Sequence, residues 1–119
     1  MATSVSTSGG RAAAASGVAS AITHWGLVDT AGTELTGGAY ARVARSATAT
    51  GAVVNPNSDV AINVPAGATV GGVRAYTASS GGTNLGGWDY PSGAGNGRES
   101  FDAAGVYTVT AATSGYTVS

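Results

Sequence analysis

The chain has no cysteine, no lysine and no glutamine, and it holds one histidine, one phenylalanine and one methionine. Each absence removes a class of chemistry. Without cysteine there are no disulfides, no thiol nucleophile and no thiolate metal site. Without lysine no phosphate-binding P-loop can form. A lone histidine, His24, is a poor basis for a catalytic triad, which needs a nucleophile, a base and an orienting acid together. It is equally poor for zinc, which takes several His or Cys ligands. Charge is scarce as well. Five arginines and six acids leave a formal net charge of −1, with 9% of residues charged. The arginines (Arg11, Arg42, Arg45, Arg74 and Arg98) are scattered, whereas nucleic acids and anionic membranes are bound by clustered cations. Neither is expected as a partner. No run of 18 apolar residues exists to span a bilayer as a helix.

Small side chains fill the space left over. Ala, Gly, Ser and Thr occupy 72 of the 119 positions, and Leu, Ile, Val and Phe only 19. That is low for a well-cored globule. The length suits one domain, and its interior must be built largely from Ala and Val. A domain with so thin a margin gains from any partner that binds only the folded state.

Residues 1–22 read as an N-terminal arm. Arg11 to Ile22 is alanine-rich and helix-prone, with Ala14, Ala15, Val18 and Ile22 on one face. A helix this short needs something to dock on. The run Ala12–Ala15 with Ala19-Ser20-Ala21 imitates a secretory signal, but it lacks a Leu/Phe-rich centre and no signal is expected. From Thr23 the period becomes two. Strands are predicted over Thr23–Asp29, Ala39–Arg45, Thr48–Val54, Asp59–Val64, Thr69–Ala78, Leu85–Tyr90, Glu99–Phe101, Val106–Ala111 and Tyr116–Ser119, with a loop over Thr30–Gly38 and a turn over Asn55–Ser58. The clearest is Asp59–Val64, where Val60, Ile62 and Val64 alternate with Asp59, Ala61 and Asn63. Pro65-Ala66-Gly67 forms a turn with Pro at its first corner. Gly71-Gly72 marks a bulge or a close backbone approach, and Asn96-Gly97 supplies a type I′ turn. Short strands at spacings near ten residues predict an all-β fold, a single small sandwich or jelly-roll-like barrel over 23–119.

Chemistry-bearing constellations are weak. Asp29, Glu34, Asp59, Asp89, Glu99 and Asp102 lie singly, with no EF-hand spacing. The Gly93–Gly97 cluster lacks the spacing of a dinucleotide loop. No catalytic, cofactor or metal residues are therefore assigned, and no cofactor is expected. Trp88, Asp89 and Tyr90 form an aromatic group that is either core or contact surface, since Trp and Tyr dominate binding hot spots. Tyr40 and Arg42 share one face of the predicted Ala39–Arg45 strand. Arg42 there can pair with an acid or stack on a ring. Trp88, Asp89, Tyr90, Arg42 and Arg11 are the candidate partner contacts.

Three stretches occur in an order that resembles a family of small virion proteins from tailed phages of actinobacteria. They are Leu27–Arg45 with its Glu34…Gly37-Gly38-Ala39-Tyr40-Ala41-Arg42 element, Asp59–Gly86 with the Val64–Gly67 turn and Thr83–Gly86, and Phe101–Ser119 opened by Asp102-Ala103-Ala104-Gly105. The Gly-Gly-x-Tyr-Ala-Arg element is the most specific of these. The N-terminus departs from the family, having an Ala-rich arm in place of a longer apolar helix. The resemblance implies a non-enzymatic structural protein made in the host cytoplasm and carried on the virion. On that reading it is a capsid decoration protein, homo-oligomeric and bound to the major capsid protein. The family also includes minor tail and tail-fibre proteins, and a carbohydrate-binding module using Trp88 and Tyr90 is the alternative from another class.

Overall fold

The computed structural model describes residues 8–92, 97–111 and 114–117. Its one helix, α1, runs over Ser8–Ala21 and packs on the hairpin of β3 (Ala47–Thr50) and β4 (Val53–Pro56). The helical part of the arm therefore docks on its own chain. Its buried face is Ala15, Ala19 and Ile22, with Val18 beside them. Ala15, Val18 and Ile22 belong to the face expected, and Ala19 takes a buried place on it while Ala14 is only half-buried. Small side chains let the helix approach the hairpin closely, and that contact supplies what so short a helix lacks alone.

The rest is antiparallel β-structure in four ladders. The main sheet has the order β2-β1-β7-β8, from Val43–Ala44, His24–Val28, Gly72–Tyr76 and Asn84–Asp89. The strand β5 (Val60–Val64) pairs with β10 (Gly105–Val109), and β11 (Tyr116–Thr117) joins the β4–β3 hairpin. A fourth ladder pairs β6 (Thr69–Val70) with β9 (Glu99–Ser100). Among the described residues the fold is thus β-rich with one helix, and the ladders do not link into a closed barrel.

Three predicted strands are corrected. Thr48–Val54 is not one strand but a hairpin turned at Gly51, whose φ of 58° suits glycine. The Asn55-Pro56 pair consequently lies in β4 rather than in a turn. Thr69–Ala78 breaks at Gly71, where a Cβ would meet the Asp29 carbonyl carbon at 2.6 Å. The glycine pair does mark a close backbone approach, and it hands the chain from the β6 ladder to the main sheet. Ala39–Arg45 is strand only at Val43–Ala44, because Tyr40 and Arg42 are used elsewhere. The Pro65 turn also shifts by one: Ala68 N–H donates to Pro65 O at 3.3 Å, so Pro65 opens the turn and Gly67, at φ 83°, takes the left-handed corner. Asn96 of the expected type I′ turn lies outside the described residues.

The core gathers Trp25, Leu27, Val73 and Ala75 from the main sheet with Val60, Ile62 and Val64 of β5, plus Val54, Val70 and Val109. In β5 the alternation is as predicted, with Ala61 and Asn63 exposed. Trp25 packs against Trp88 with the rings tilted, 6.0 Å between centroids, and Trp88 packs likewise against Tyr116 at 6.3 Å. These rings do much of the filling in an interior otherwise built from valine and alanine.

Candidate functional site

The other face of the main sheet carries the densest polar cluster. After β1, Asp29 folds the chain back: its Oδ1 accepts from Ala31 N–H at 2.8 Å and Thr33 N–H at 3.0 Å. This Asx-type turn returns Glu34 alongside Val28 and lets Leu35 N–H donate to Leu27 O at 3.1 Å. Gly37 and Gly38, both at positive φ, then swing the chain back over the sheet. Tyr40 and Arg42 thereby lie across β1 and β7.

There they close a clasp. Arg42 Nε donates to Glu34 Oε2 at 2.8 Å and Nη2 to Oε1 at 2.9 Å, the two-pronged geometry that only arginine provides. Its Nη1 donates to the carbonyls of Ala78 at 3.0 Å and Gly81 at 2.9 Å, anchoring the loop between β7 and β8. The guanidinium also lies 3.5 Å above the Tyr76 ring centroid. Tyr40 O–H donates to Glu34 Oε2 at 2.7 Å and accepts from Leu27 N–H at 3.1 Å. The clasp needs a gap in the sheet surface, and Gly26 supplies it: a Cβ there would sit 2.6 Å from Tyr40 Oη and 3.0 Å from Tyr76 Cε2.

The electrostatics follow from the contacts. The Arg42 hydrogen bonds hold the Glu34 carboxyl below its ordinary value, against the opposing effect of burial and with further help from Tyr40. Burial pushes the Tyr40 hydroxyl up, and its hydrogen bond to the Glu34 carboxylate adds to the shift. Arg42 is raised in turn by its own hydrogen bonds to Glu34. Charges so fully engaged with one another hold a loop in place.

The remaining candidates are dispersed. Trp88 is half-buried in the Trp25–Trp88–Tyr116 cluster. Asp89, exposed, pairs with Arg74 Nη2 at 2.7 Å. Tyr90 packs against Tyr107 at 6.2 Å, and its carbonyl accepts from Arg98 Nε at 2.9 Å. Arg11 sits in α1, far in sequence from these, and is half-buried. The structure joins Trp88, Asp89 and Tyr90 along one strand end but does not bring Arg42 or Arg11 to them. Sequence reasoning found Arg42 and the need for an acid or ring. It missed Tyr76, Gly26 and the Arg74–Asp89 pair. The two lie diagonally across β7 and β8, Arg74 opposite Gly87 and Asp89 opposite Gly72, and such a pair is legible only once the register is known.

No family model, curated protein or solved structure matches the chain. Among the described residues no cluster of three His, Cys, Asp or Glu could hold a metal, and no helix is long and apolar enough to cross a membrane.

Proposed function

We propose that this chain is a non-enzymatic structural protein of a phage virion, acting as a decoration protein that cements the capsid shell in many copies. One observation carries the reading. The most distinctive element of the resemblance, Glu34 with Gly37-Gly38-Ala39-Tyr40-Ala41-Arg42, is consumed in a clasp that fixes the fold. A motif explained by architecture supports kinship in architecture, and the family that shares it is structural. The same logic supports the finer description of the fold. That finer reading is a two-layer sandwich, and it is supported by Trp25, Leu27 and Val73 of the main sheet sharing one buried core with Ile62 of β5.

Each copy spans neighbouring shell subunits and adds interface area that resists expansion by packaged DNA. A surface rich in small residues and poor in charge suits close packing of many copies. The test is to bind purified protein to particles lacking it and to heat them. Saturable binding at a fixed ratio to the major capsid protein, with a raised temperature of shell rupture, is the expected result. No binding to the shell overturns the proposal, and binding confined to tails moves the chain to the tail-associated reading.

A further inference from the structure

Among the described residues the Arg45 side chain has no hydrogen-bond or ion-pair partner. Arg42 holds Glu34, Arg74 holds Asp89, and Arg98 reaches the Tyr90 carbonyl. The backbone N–H of Arg45 donates to Thr23 O at 3.0 Å and fixes the residue just past β2. Its side-chain Nε is buried with no acceptor among the described residues. That atom is closed to an incoming group, whereas the two terminal Nη groups, neither buried nor bonded among the described residues, are open to one. The other such atom, Trp25 Nε1, is sealed inside the core. Arg45 instead lines a depression of about 450 Å³, with Ser20, Thr23, Ser46 and Asn57 around it. A cation set among hydroxyls and an amide, with no acid of its own, is arranged to receive a carboxylate.

The chain carries carboxylates in the matching condition. Glu99 and Asp102 are exposed, and among the described residues neither has an ion pair. They lie at the opposite pole. Asn57 N–H donates to Ser46 O at 3.0 Å, tying the Arg45 depression to the start of β5. Gly67 N–H donates to Phe101 O at 2.6 Å and Phe101 N–H to Ala68 O at 2.9 Å, tying the acidic turn to the far end of β5. The length of β5, roughly 13 Å at the usual rise per residue, separates the two. One chain cannot join them, whereas two chains can.

We propose that copies of this chain associate head to tail, the Glu99 and Asp102 carboxylates of one copy entering the Arg45 depression of the next. The contact is heterologous, so it propagates into a ring or an open row, not a closed symmetric dimer. It rests on these residues alone and stands or falls independently of the virion reading.

The test is sedimentation of the purified full chain over a range of concentrations at low salt and in ~0.5 M salt, where exposed charge pairs are screened. Wild type gains mass with concentration at low salt and loses it at high salt. Arg45→Gln weakens association by ~30-fold or more, the ratio expected when one partner of a hydrogen-bonded charge pair is removed. The double variant Glu99→Gln/Asp102→Asn does the same. Mixed together, the two variants pair through their one intact contact and stop at a dimer. Circular dichroism matching wild type shows that each variant is folded. Because the chain has no cysteine, a second measurement is clean: the double variant Ser46→Cys/Ala103→Cys gives a ladder of disulfide-linked oligomers on oxidation, and neither single variant does. A wild type that stays monomeric at every concentration overturns the proposal. So does an Arg45→Gln protein that associates as tightly as wild type, a mixture that fails to pair, or a symmetric dimer from Ser46→Cys alone.

Discussion

Replacing Arg42 with lysine keeps the charge and removes the fork, and it tests the clasp directly. The Arg42 side chain is 9% exposed and that of Glu34 28%. The guanidinium makes four hydrogen bonds, two to the carboxylate and two to the carbonyls of Ala78 and Gly81, and covers the Tyr76 ring. A lysine ammonium can keep one contact to Glu34. It cannot span the carboxylate and both carbonyls at once, and it loses the stacked plane. A hydrogen bond to a charged group contributes about 1.5–3 kcal/mol, and cation–π stacking adds about 0.5–1 kcal/mol. The freed carbonyls lie near the surface and recover water, which limits the loss. The net expectation is about 2–3 kcal/mol for Arg42→Lys. Arg42→Ala should cost about 3–4 kcal/mol, below the top of the range for a fully buried pair because Glu34 retains some contact with water. Chemical denaturation with unchanged m-value is the assay. A double-mutant cycle with Glu34→Gln should return a coupling on the order of 1–3 kcal/mol. An Arg42→Lys protein within about 0.5 kcal/mol of wild type, or a cycle with no coupling, would refute the reasoning.

Other outcomes follow from the same contacts. Gly26→Ala should destabilise by about 1–3 kcal/mol, because the new methyl group displaces Tyr40 and Tyr76; a thermal melt superimposing on wild type contradicts this. Ile62→Ala, at a fully buried site in β5, should cost about 2–5 kcal/mol in denaturant melts. Stability should fall with acid: the unfolded chain takes up a proton at Glu34 near 4.5 more readily than the folded one, so the clasp weakens as pH drops below that value, and Glu34→Gln should flatten the dependence. Alkali also destabilises, through other groups and with the opposite slope in pH. Burial raises Tyr76 and Tyr116 above 10, as it does Tyr40 and Tyr107, so the unfolded chain loses these protons first and stability declines as pH rises past about 10. A flat stability profile between pH 9 and 11.5 would show that these hydroxyls are not held protonated by the fold.

The sequence was readable where polar and apolar residues alternate sharply. Val60, Ile62 and Val64 against Ala61 and Asn63 specify both strand and face, and β5 has that register. It was unreadable where small residues blur the contrast. In Thr48–Val54 neither Ala nor Thr declares a face, so one Gly51 turning a hairpin left no signal in the periodicity. The same holds for α1, where an alanine-rich helix can bury any of several faces and the hairpin of β3 and β4 selects Ala15 and Ala19. Tyr40 and Arg42 alternate as strand residues do, yet they reach over a sheet whose acceptors, Glu34, Ala78 and Gly81, are brought close only by the turn at Asp29 and by the β7–β8 connection. Their need for a partner could be read from residue type. Which partner could not be, because the partners lie as far as 39 positions away in sequence.

Imaging the assembled virion and locating this chain in it tests the central proposal most directly. The expected image shows hundreds of copies arrayed over the capsid shell, each bridging neighbouring subunits of the major capsid protein. Absence of the chain from the particle, or confinement to a few copies at the tail, would contradict the proposal.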